Sequence, residues 1–219
     1  SNAESVGTQT ITVALNTASG LDVTVPYTVG GTASNPADYT ITASPAIISA
    51  GATTTTITIT VVNDTLNENS ETVIVTMGTP TNATQGATTV HMATITDNDL
   101  PPTANWISAS QASVNESGTM SVTAQLSAAS GLDVTVPFTV GGTAMNPADY
   151  TMTASPITIL AGATTGTATI TITADALDEL NETVVVTMGT PTNGTLGATT
   201  THTATITDDD LPPTVTFTS

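Results

Sequence analysis

The chain has 219 residues, 18 acidic side chains and neither Lys nor Arg, so its formal net charge at pH 7 is −18. This charge excludes nucleic acid and anionic membrane surfaces as natural partners, and no apolar run approaches the roughly 18 residues of a membrane-spanning helix, so we expect no membrane insertion. Hydrophobic residues make up 38% of the chain and charged residues only 8%, which favours a folded core over disorder.

A long internal repeat divides the chain into two copies that are offset by 111 residues. SGLDVTVPYTVGGTA at 19–33 returns as SGLDVTVPFTVGGTA at 130–144, and HMATITDNDLPPT at 91–103 returns as HTATITDDDLPPT at 202–214. A period of this length indicates whole domains in series rather than a solenoid. We predict a tag remnant at 1–3, a first domain at 4–99, a Pro-rich linker at 100–103, a second domain at 104–210, and a linker with the first strand of a further repeat at 211–219.

The repeat also predicts that the first domain lacks its opening strand. The segment that opens the second copy, TANWISASQASV at 103–114, has no counterpart before Glu4, whereas TVTFTS at 214–219 matches its start. Trp106 corresponds to Phe217 in this alignment, and we expect Trp106 in the core. We expect the 214–219 segment to enter the open position in the first domain of a neighbouring molecule, which gives head-to-tail self-association.

The second copy shows the pattern of an antiparallel β-sandwich. β-Branched residues alternate with small and polar ones, and Gly, Pro and Asn clusters separate the runs. The predicted strands lie at about 104–108, 118–127, 133–140, 149–154, 165–174, 183–188 and 200–207. Seven short strands in one domain predict an all-β fold of two tandem sandwiches.

The acidic residues concentrate at the ends of the predicted strands, and alternating strand directions would bring these ends to one pole of each sandwich. In the second copy the set is Glu116, Asp149, Asp175, Glu179, Glu182, Asp208, Asp209 and Asp210. In the first copy it is Glu4, Asp38, Asp64, Glu68, Glu71, Asp97 and Asp99. These sets contain fifteen of the eighteen acids, and only Asp22, Asp133 and Asp178 are left out.

Such a concentration of carboxylates predicts a bound divalent cation. Two carboxylates about 4 Å apart repel each other by ~1 kcal/mol in water and by ~4 kcal/mol at an effective dielectric constant near 20. No Lys or Arg is present to offset this repulsion. Oxygen ligands on loops favour Ca²⁺ over Mg²⁺, which takes fewer protein ligands in stricter geometry. For the run 208–210 alone, a solvated surface that blocks strand-edge aggregation is the alternative interpretation.

Each copy resembles a Calx-beta domain, the module of sodium/calcium exchangers, some integrins and many bacterial surface proteins. The matching motifs are the GTA…DYT run, the AGATT turn, the strand-end D-x-L-x-E-x-x-E run and the closing D-x-D, and the resemblance covers almost the whole chain. It implies an immunoglobulin-like sandwich of about seven strands per domain. It also implies that the acids of the two sets are calcium ligands.

Catalytic interpretations of the sequence are weaker. His91 and His202 occupy the same repeat position and are expected on the core side, away from the acids, so no Ser-His-Asp triad can form. Glu179 and Glu182 could be imagined as a glycosidase pair, but an aromatic-lined sugar cleft is not expected in a chain with 3% aromatic residues. We therefore do not expect an enzyme.

We expect a calcium-binding spacer or stalk repeat of a large bacterial cell-surface or secreted protein, with an extracellular, adhesion-related role. Its expected partners are calcium ions and neighbouring repeats of the same chain. The two prolines of the linker LPPT fix φ and follow the acids directly, so an ion at this position would stiffen the array. The alternatives are a calcium-sensing module that reorients its domains on binding, and a spacer that binds no metal.

Overall fold

A computed structural model describes residues 2–112 and 115–218. Ser1 of the expected tag remnant and Ser219 of the expected C-terminal strand lie outside the described residues. The chain forms two compact units, Ser1–Asp99 and Leu100–Ser219, and each has its own hydrophobic core. Within the described part of the chain, no helix has the length and apolar character needed to cross a membrane.

The first domain consists of short strands and one turn of 3₁₀-helix, Glu4–Val6. Its strands are β1 (Asn2–Ala3), β2 (Thr8–Ala14), β3 (Val23–Val25), β4 (Tyr27–Gly31), β5 (Tyr39–Ile41), β6 (Ala46–Ile48), β7 (Thr54–Val61), β8 (Glu71–Met77) and β9 (Val90–Thr96). They form a sheet in the order β1-β9-β8-β4, a second sheet β2-β7-β5, and the pair β3-β6. The side chains that these sheets turn towards each other make the core of the domain.

The second domain repeats this plan with an additional edge. Its strands are β10 (Thr103–Trp106), β11 (Ser110–Ala112), β12 (Thr119–Leu126), β13 (Val134–Val136), β14 (Phe138–Gly142), β15 (Tyr150–Met152), β16 (Ile157–Ile159), β17 (Thr165–Ile172), β18 (Glu182–Met188), β19 (Thr195–Leu196) and β20 (Thr201–Ile206). The sheets run β15-β17-β12-β10-β19 and β11-β20-β18-β14, with β13 and β16 as a pair. The all-β sandwich predicted from the sequence is confirmed.

The period of two along each strand explains how this Thr-rich sequence makes a core. In β12, exposed or half-exposed residues alternate with the buried Val122, Ala124 and Leu126. The inner face of the same sheet is completed by Ala104 and Trp106 of β10, which are 0% and 2% exposed. The expectation that Trp106 is a core residue is therefore confirmed.

The strand predicted at 133–140 is interrupted in the structure at Pro137. β13 before it pairs with β16, whereas β14 after it pairs with β18 of the other sheet. Proline has no N–H to donate to a ladder, and its fixed φ helps the chain change partners here. The short strands β11, β16 and β19 were not predicted from the sequence.

The expected absence of an opening strand in the first domain is also confirmed. In the second domain β12 pairs with β17 on one side and with β10 on the other. In the first domain the equivalent strand β2 pairs with β7, and no described residue pairs with its other edge. β1 takes the place of β11, since it pairs in parallel with β9 as β11 does with β20.

Strand directions bring the acidic segments to one end of the second domain. β12 begins where β17 ends, since Thr119 pairs with Thr171. β18 begins where β20 ends, since Glu182 pairs with Ile206. The segments before β12 and β18 and those after β17 and β20 therefore meet at one pole, and the first domain has the same arrangement.

Candidate metal centre

The acidic pole of each domain is defined here as the set of acids predicted from the strand ends. For the first domain these are Glu4, Asp38, Asp64, Glu68, Glu71, Asp97 and Asp99. The structure brings all seven close enough for their charges to interact: each raises the pKa of another member or has its own pKa raised by one. The corresponding eight acids of the second domain converge in the same way.

Glu4, Asp64 and Asp99 form the centre of the first pole. Each offers a carboxylate oxygen, and these three oxygens lie within 4.8 Å of one another. The single helical turn holds Glu4 in this position, where it is only 6% exposed. The backbone N–H of Ser5 donates to Oδ1 of Asn98 at 3.1 Å, which joins this turn to the closing acidic run.

Two oxygens of this triad are buried without a hydrogen-bond donor. They are Oε2 of Glu4 and Oδ2 of Asp99. A buried carboxylate oxygen normally accepts a hydrogen bond or binds a cation, because burial without a partner carries the full cost of desolvation. The carboxylates at this position therefore fit a hard cation such as Ca²⁺, which binds oxygen ligands.

A second group lies beside the first triad. Glu71 shares a side-chain hydrogen bond with Asp38, and burial together with this carboxyl raises the pKa of Glu71 to about 7. The pKa of Glu68 is raised as well, first by burial and then by the charges of Asp64 and Asp38. The proton of this hydrogen bond is therefore released only near neutral pH, well above the ordinary range of a glutamate carboxyl group.

The second domain holds two carboxylate triads in equivalent positions. Glu116, Asp175 and Asp210 form one, and Asp149, Glu179 and Glu182 form the other; in each, the carboxylate oxygens lie within 4.8 Å of one another. Glu116 is 8% exposed, whereas Asp175 is exposed to solvent. Because the charge of Glu179 helps to raise the pKa of Glu116, the two triads are close enough to interact.

Local hydrogen bonds orient several of these carboxylates. Oδ1 of Asp64 accepts from the backbone N–H of Leu66 at 2.7 Å, and Oδ1 of Asp175 accepts from that of Leu177 at the same distance. In both cases the residue forms a turn of the Asx type, which uses one carboxylate oxygen. The other oxygen remains available to a ligand at the pole.

Burial and mutual repulsion favour the protonated forms at the poles. Burial is the largest cause of the rise of the Glu4 pKa to about 7, followed by the charges of Asp64 and Asp97. The pKa of Glu182 also rises to about 7, through burial and its hydrogen bond with Asp149. Binding of a divalent cation would remove this preference, because the cation favours the deprotonated carboxylates.

The structure adds residues that strand-end reasoning left out. The charge of Asp178 helps to raise the pKa of Asp210, so Asp178 belongs near the second pole. In the first domain its counterpart is Asn67, whose Nδ2 donates to Oδ2 of Asp97 at 3.2 Å. The repeat alignment could have found this pair, since Asp178 lies within the same D-x-L-x-E-x-x-E run as the predicted acids. Asp209 is the exposed middle member of its run and is part of neither triad.

Asp22 and Asp133 have a different role, as their exclusion from the poles implied. Oδ1 of Asp22 accepts from the backbone N–H of Ala50, and Oδ1 of Asp133 accepts from that of Ala161, each at 2.8 Å. These bonds fix a loop next to the β3-β6 and β13-β16 pairs. Neither residue is among the charges that raise the pKa values of the pole.

The two equivalent histidines differ in environment. His202 is 2% exposed and its Nδ1 lies 2.7 Å from the backbone oxygen of Ser108, so the expectation of a packed structural histidine is confirmed there. His91 is exposed, and for this residue the expectation is wrong. The reason is that the segment 107–109, which covers His202, has no counterpart among the described residues of the first domain.

An all-β tandem repeat with a carboxylate-rich pole on each sandwich is the class of protein that the fold and the site define. A model of the Calx-beta domain family matches residues 1–100 and again residues 103–210. The chain belongs to this family. A search of curated proteins gave no match.

Solved structures of Calx domains are similar to the chain at low identity. CBD12 of CALX1.2 is 16% identical with a TM-score of 0.44, and the match covers 94% of this chain and 95% of that one. The calcium binding domain CBD12 of CALX1.1 is also 16% identical, with a TM-score of 0.43 and coverages of 92% and 94%. The apo form of Calx CBD1 is 20% identical, with a TM-score of 0.46 over 50% of this chain and 98% of that domain.

Proposed function

We propose that the chain is a non-catalytic, calcium-binding spacer from a large extracellular bacterial protein, with an adhesion-related role. The observation that carries this proposal is the pair of buried oxygens of Glu4 and Asp99, which have no donor in a chain without Lys or Arg. The chain belongs to the Calx-beta family, and its resemblance to the calcium-binding members implies that the acids of both poles are the ligands.

In this proposal calcium binds each domain at its acidic pole. Glu4, Asp64 and Asp99 hold an ion in the first domain, and Glu116, Asp175 and Asp210 hold one in the second. The neighbouring triad, Asp149, Glu179 and Glu182, supplies a further site. Extracellular calcium modules have Kd values of roughly 10⁻⁴ to 10⁻³ M, which suits a millimolar supply outside the cell.

The proposal that calcium stiffens the connection between domains rests on the order of residues in the chain, in which the last acids of each pole directly precede the proline-containing linker. Asp99 immediately precedes Leu100, Pro101 and Pro102 of the linker, and Asp210 precedes the same three residue types at 211–213. The prolines fix φ, and an ion on the last acid restricts the residue before them. Calcium would therefore limit the directions in which the next domain leaves, and neighbouring repeats of the chain are the partners that this mechanism requires.

Calcium titration calorimetry, combined with thermal unfolding in Ca²⁺, Mg²⁺ and EDTA, tests the binding. We expect heat of binding and a raised Tm in Ca²⁺ and a smaller effect in Mg²⁺; at 100 times Kd each site adds ~2.7 kcal/mol. The variants Asp64→Asn and Asp175→Asn should weaken binding, whereas Asp22→Asn and Asp133→Asn change the charge equally and should not. Absence of heat with an unchanged Tm would disprove calcium binding.

X-ray scattering distinguishes the spacer from a calcium-sensing module. A spacer becomes longer and stiffer when calcium is added and keeps one mean conformation. A sensor instead moves between two arrangements of its domains, and the titration passes through a mixture of both. A mixture of two arrangements at intermediate calcium would contradict the spacer.

A further inference from the structure

In the second domain, β10 covers one edge of β12, and its Trp106 side chain fills a groove beside that edge. The Trp106 ring lies edge-on to Phe138 with 6.4 Å between centroids, and its Nε1 donates to the backbone oxygen of Thr200 at 3.0 Å. The backbone N–H of Trp106 donates to the oxygen of Thr199 at 2.8 Å. On the other side β10 pairs with β12, where the backbone N–H of Ser127 donates to the oxygen of Thr103 at 2.9 Å.

The first domain has an open groove at the equivalent place. A cavity of about 210 Å³ lies beside the free edge of β2. It is lined by Ile11, Val13, Tyr27, Met77, Thr88 and Thr89, among others. In the repeat these six correspond to Val122, Ala124, Phe138, Met188, Thr199 and Thr200. Four of the six, Ala124, Phe138, Thr199 and Thr200, pair with or contact Trp106 of β10. The groove therefore has the walls of the β10 site.

Three apolar side chains of the first domain are more exposed than their counterparts in the second domain, as the open groove predicts. Ile11, Leu15 and Met77 are half-buried, whereas their counterparts Val122, Leu126 and Met188 are buried. Each of these three residues thus retains apolar surface that a strand in the groove would cover. The segment 84–85, equivalent to β19, is not a strand, because it lacks the partner that β10 gives to β19.

The C-terminal segment of the chain has the sequence that fits this groove. TVTF at 214–217 aligns with TANW of β10, and the same LPP spacer precedes both. No residue of 214–218 lies in a strand, and Val215 and Phe217 are 94% and 107% exposed. An aromatic side chain left wholly in water can bury on the order of 150–250 Å² of surface when it finds a partner site.

We propose that residues 214–217 of one molecule add as a strand to β2 in the first domain of a second copy, with Phe217 in the position that Trp106 occupies in the second domain. The register follows from β10, in which Ala104, Asn105 and Trp106 pair with Leu126, Gln125 and Ala124. It places Val215 opposite Leu15, Thr216 opposite Ala14 and Phe217 opposite Val13. The addition completes the sheet edge with main-chain hydrogen bonds, and the Phe217 pocket sets the register.

The spacer at 211–213 favours the first domain of a second copy, rather than that of the same molecule, as the domain that accepts residues 214–217. The LPP spacer at 100–102 is followed directly by β10, which belongs to the domain that comes after the spacer in the chain. The spacer at 211–213 has the same length, so it presents TVTF to a domain that follows the second one. A second copy placed head-to-tail supplies such a domain, and repetition of this contact gives linear chains of molecules.

The register is tested by cysteine cross-linking in a chain that has no native cysteine. The double variant Ala14→Cys, Thr216→Cys places two thiols on opposed residues, about 5.5 Å apart between Cα atoms, within disulfide range. Mild oxidation of the full chain should give disulfide-linked dimers and longer ladders. The control Thr10→Cys, Thr216→Cys moves the first thiol four residues along β2, beyond disulfide range, and should give at least tenfold less cross-linked product.

Sedimentation velocity across a range of concentrations tests the same contact without cross-linking. The unmodified chain should form larger species as concentration rises, and Phe217→Ser should abolish them. Phe217→Trp should strengthen association, because it restores the indole N–H that donates to Thr200 in the second domain and finds Thr89 in the first. Leu160→Ser, which removes an exposed apolar side chain elsewhere in the second domain, should leave association unchanged.

Three results would overturn the proposal. The first is a strictly monomeric chain at the highest concentration with free thiols after oxidation. The second is an internal disulfide in a monomer, which would make the chain's own first domain the acceptor. The third is equal cross-linking of the two double variants, which would mean that association does not use the register of β10.

Discussion

Glu4 and Asp99 lie at opposite ends of the first domain's sequence, yet their carboxylate oxygens lie within 4.8 Å of each other and of Asp64. One oxygen of each is buried without a hydrogen-bond donor. Because these two residues lie near the N-terminal and C-terminal ends of the domain, a cation between them would join its two terminal segments. The stability of the domain should therefore depend on this pair and on calcium.

Glu4→Gln should raise the Tm of the first domain in EDTA above pH 7 and remove much of its stabilisation by calcium. The substitution removes a buried charge that repels Asp64 and Asp97, and its amide can donate to neighbouring carboxylates. A gain of about 1 kcal/mol corresponds to roughly 4–8 °C for a domain of this size. Scanning calorimetry with and without calcium measures both effects.

Asp22→Asn is the matched control for this substitution. It removes one negative charge, keeps an oxygen acceptor for the N–H of Ala50, and lies outside the acidic pole. Its response to calcium should be that of the unmodified chain. Equal responses of Glu4→Gln and Asp22→Asn would mean that net charge, rather than the triad, controls stability.

In EDTA, the free energy of unfolding should fall as the pH rises from about 4.5 to 7. The pKa values of Glu4 and Glu71 are about 7 in the folded chain, against an ordinary value of 4.5. In this pH range the folded state keeps protons that the unfolded chain has released, so each rise in pH favours unfolding. Below about pH 4.5 both states are protonated and this contribution to the slope disappears.

Excess calcium should flatten or reverse this pH dependence, because calcium binds the deprotonated carboxylates of the folded state. Urea unfolding at intervals of half a pH unit, with calcium and with EDTA, measures the two slopes. A metal-free protein whose stability rises between pH 4.5 and 7 would contradict the raised pKa values of Glu4 and Glu71.

Gly142→Ala should destabilise the second domain by about 1–3 kcal/mol, while Gly141→Ala should have a much smaller effect. Gly142 has φ +117°, and a Cβ added there would overlap the backbone oxygen of Thr183. A Cβ at Gly141 would meet no atom within 4 Å. Denaturant unfolding of the two neighbouring variants compares the same chemical change in two environments, and equal losses would disprove the steric explanation.

His202→Ala should cost the second domain about 1–3 kcal/mol or more, whereas His91→Ala should change the first domain by less than about 0.5 kcal/mol. His202 is buried and bonded to the backbone oxygen of Ser108, while His91 is exposed. Thermal unfolding of the two variants makes the comparison. A loss at His91 as large as that at His202 would contradict the difference in packing.

Two histidines at one repeat position illustrate what sequence alone does not decide. His91 and His202 precede the closely similar segments ATITDND and ATITDDD at the same spacing, and both histidines were expected in the core. Their environments differ because β10 and the segment after it come from residues more than ninety positions away from His202. A local pattern carries no information about whether such a distant segment is present to cover a side chain.

The sequence by itself determined the two-domain repeat, the all-β sandwich and the position of the acids at strand ends, because these features depend on side-chain periodicity and chain order. Only the tertiary structure decided which acids form triads, that Asp178 approaches Asp210, and that Pro137 separates strands of different sheets. These facts depend on contacts between residues far apart in the chain, whose distances are set by packing of the two sheets rather than by local spacing.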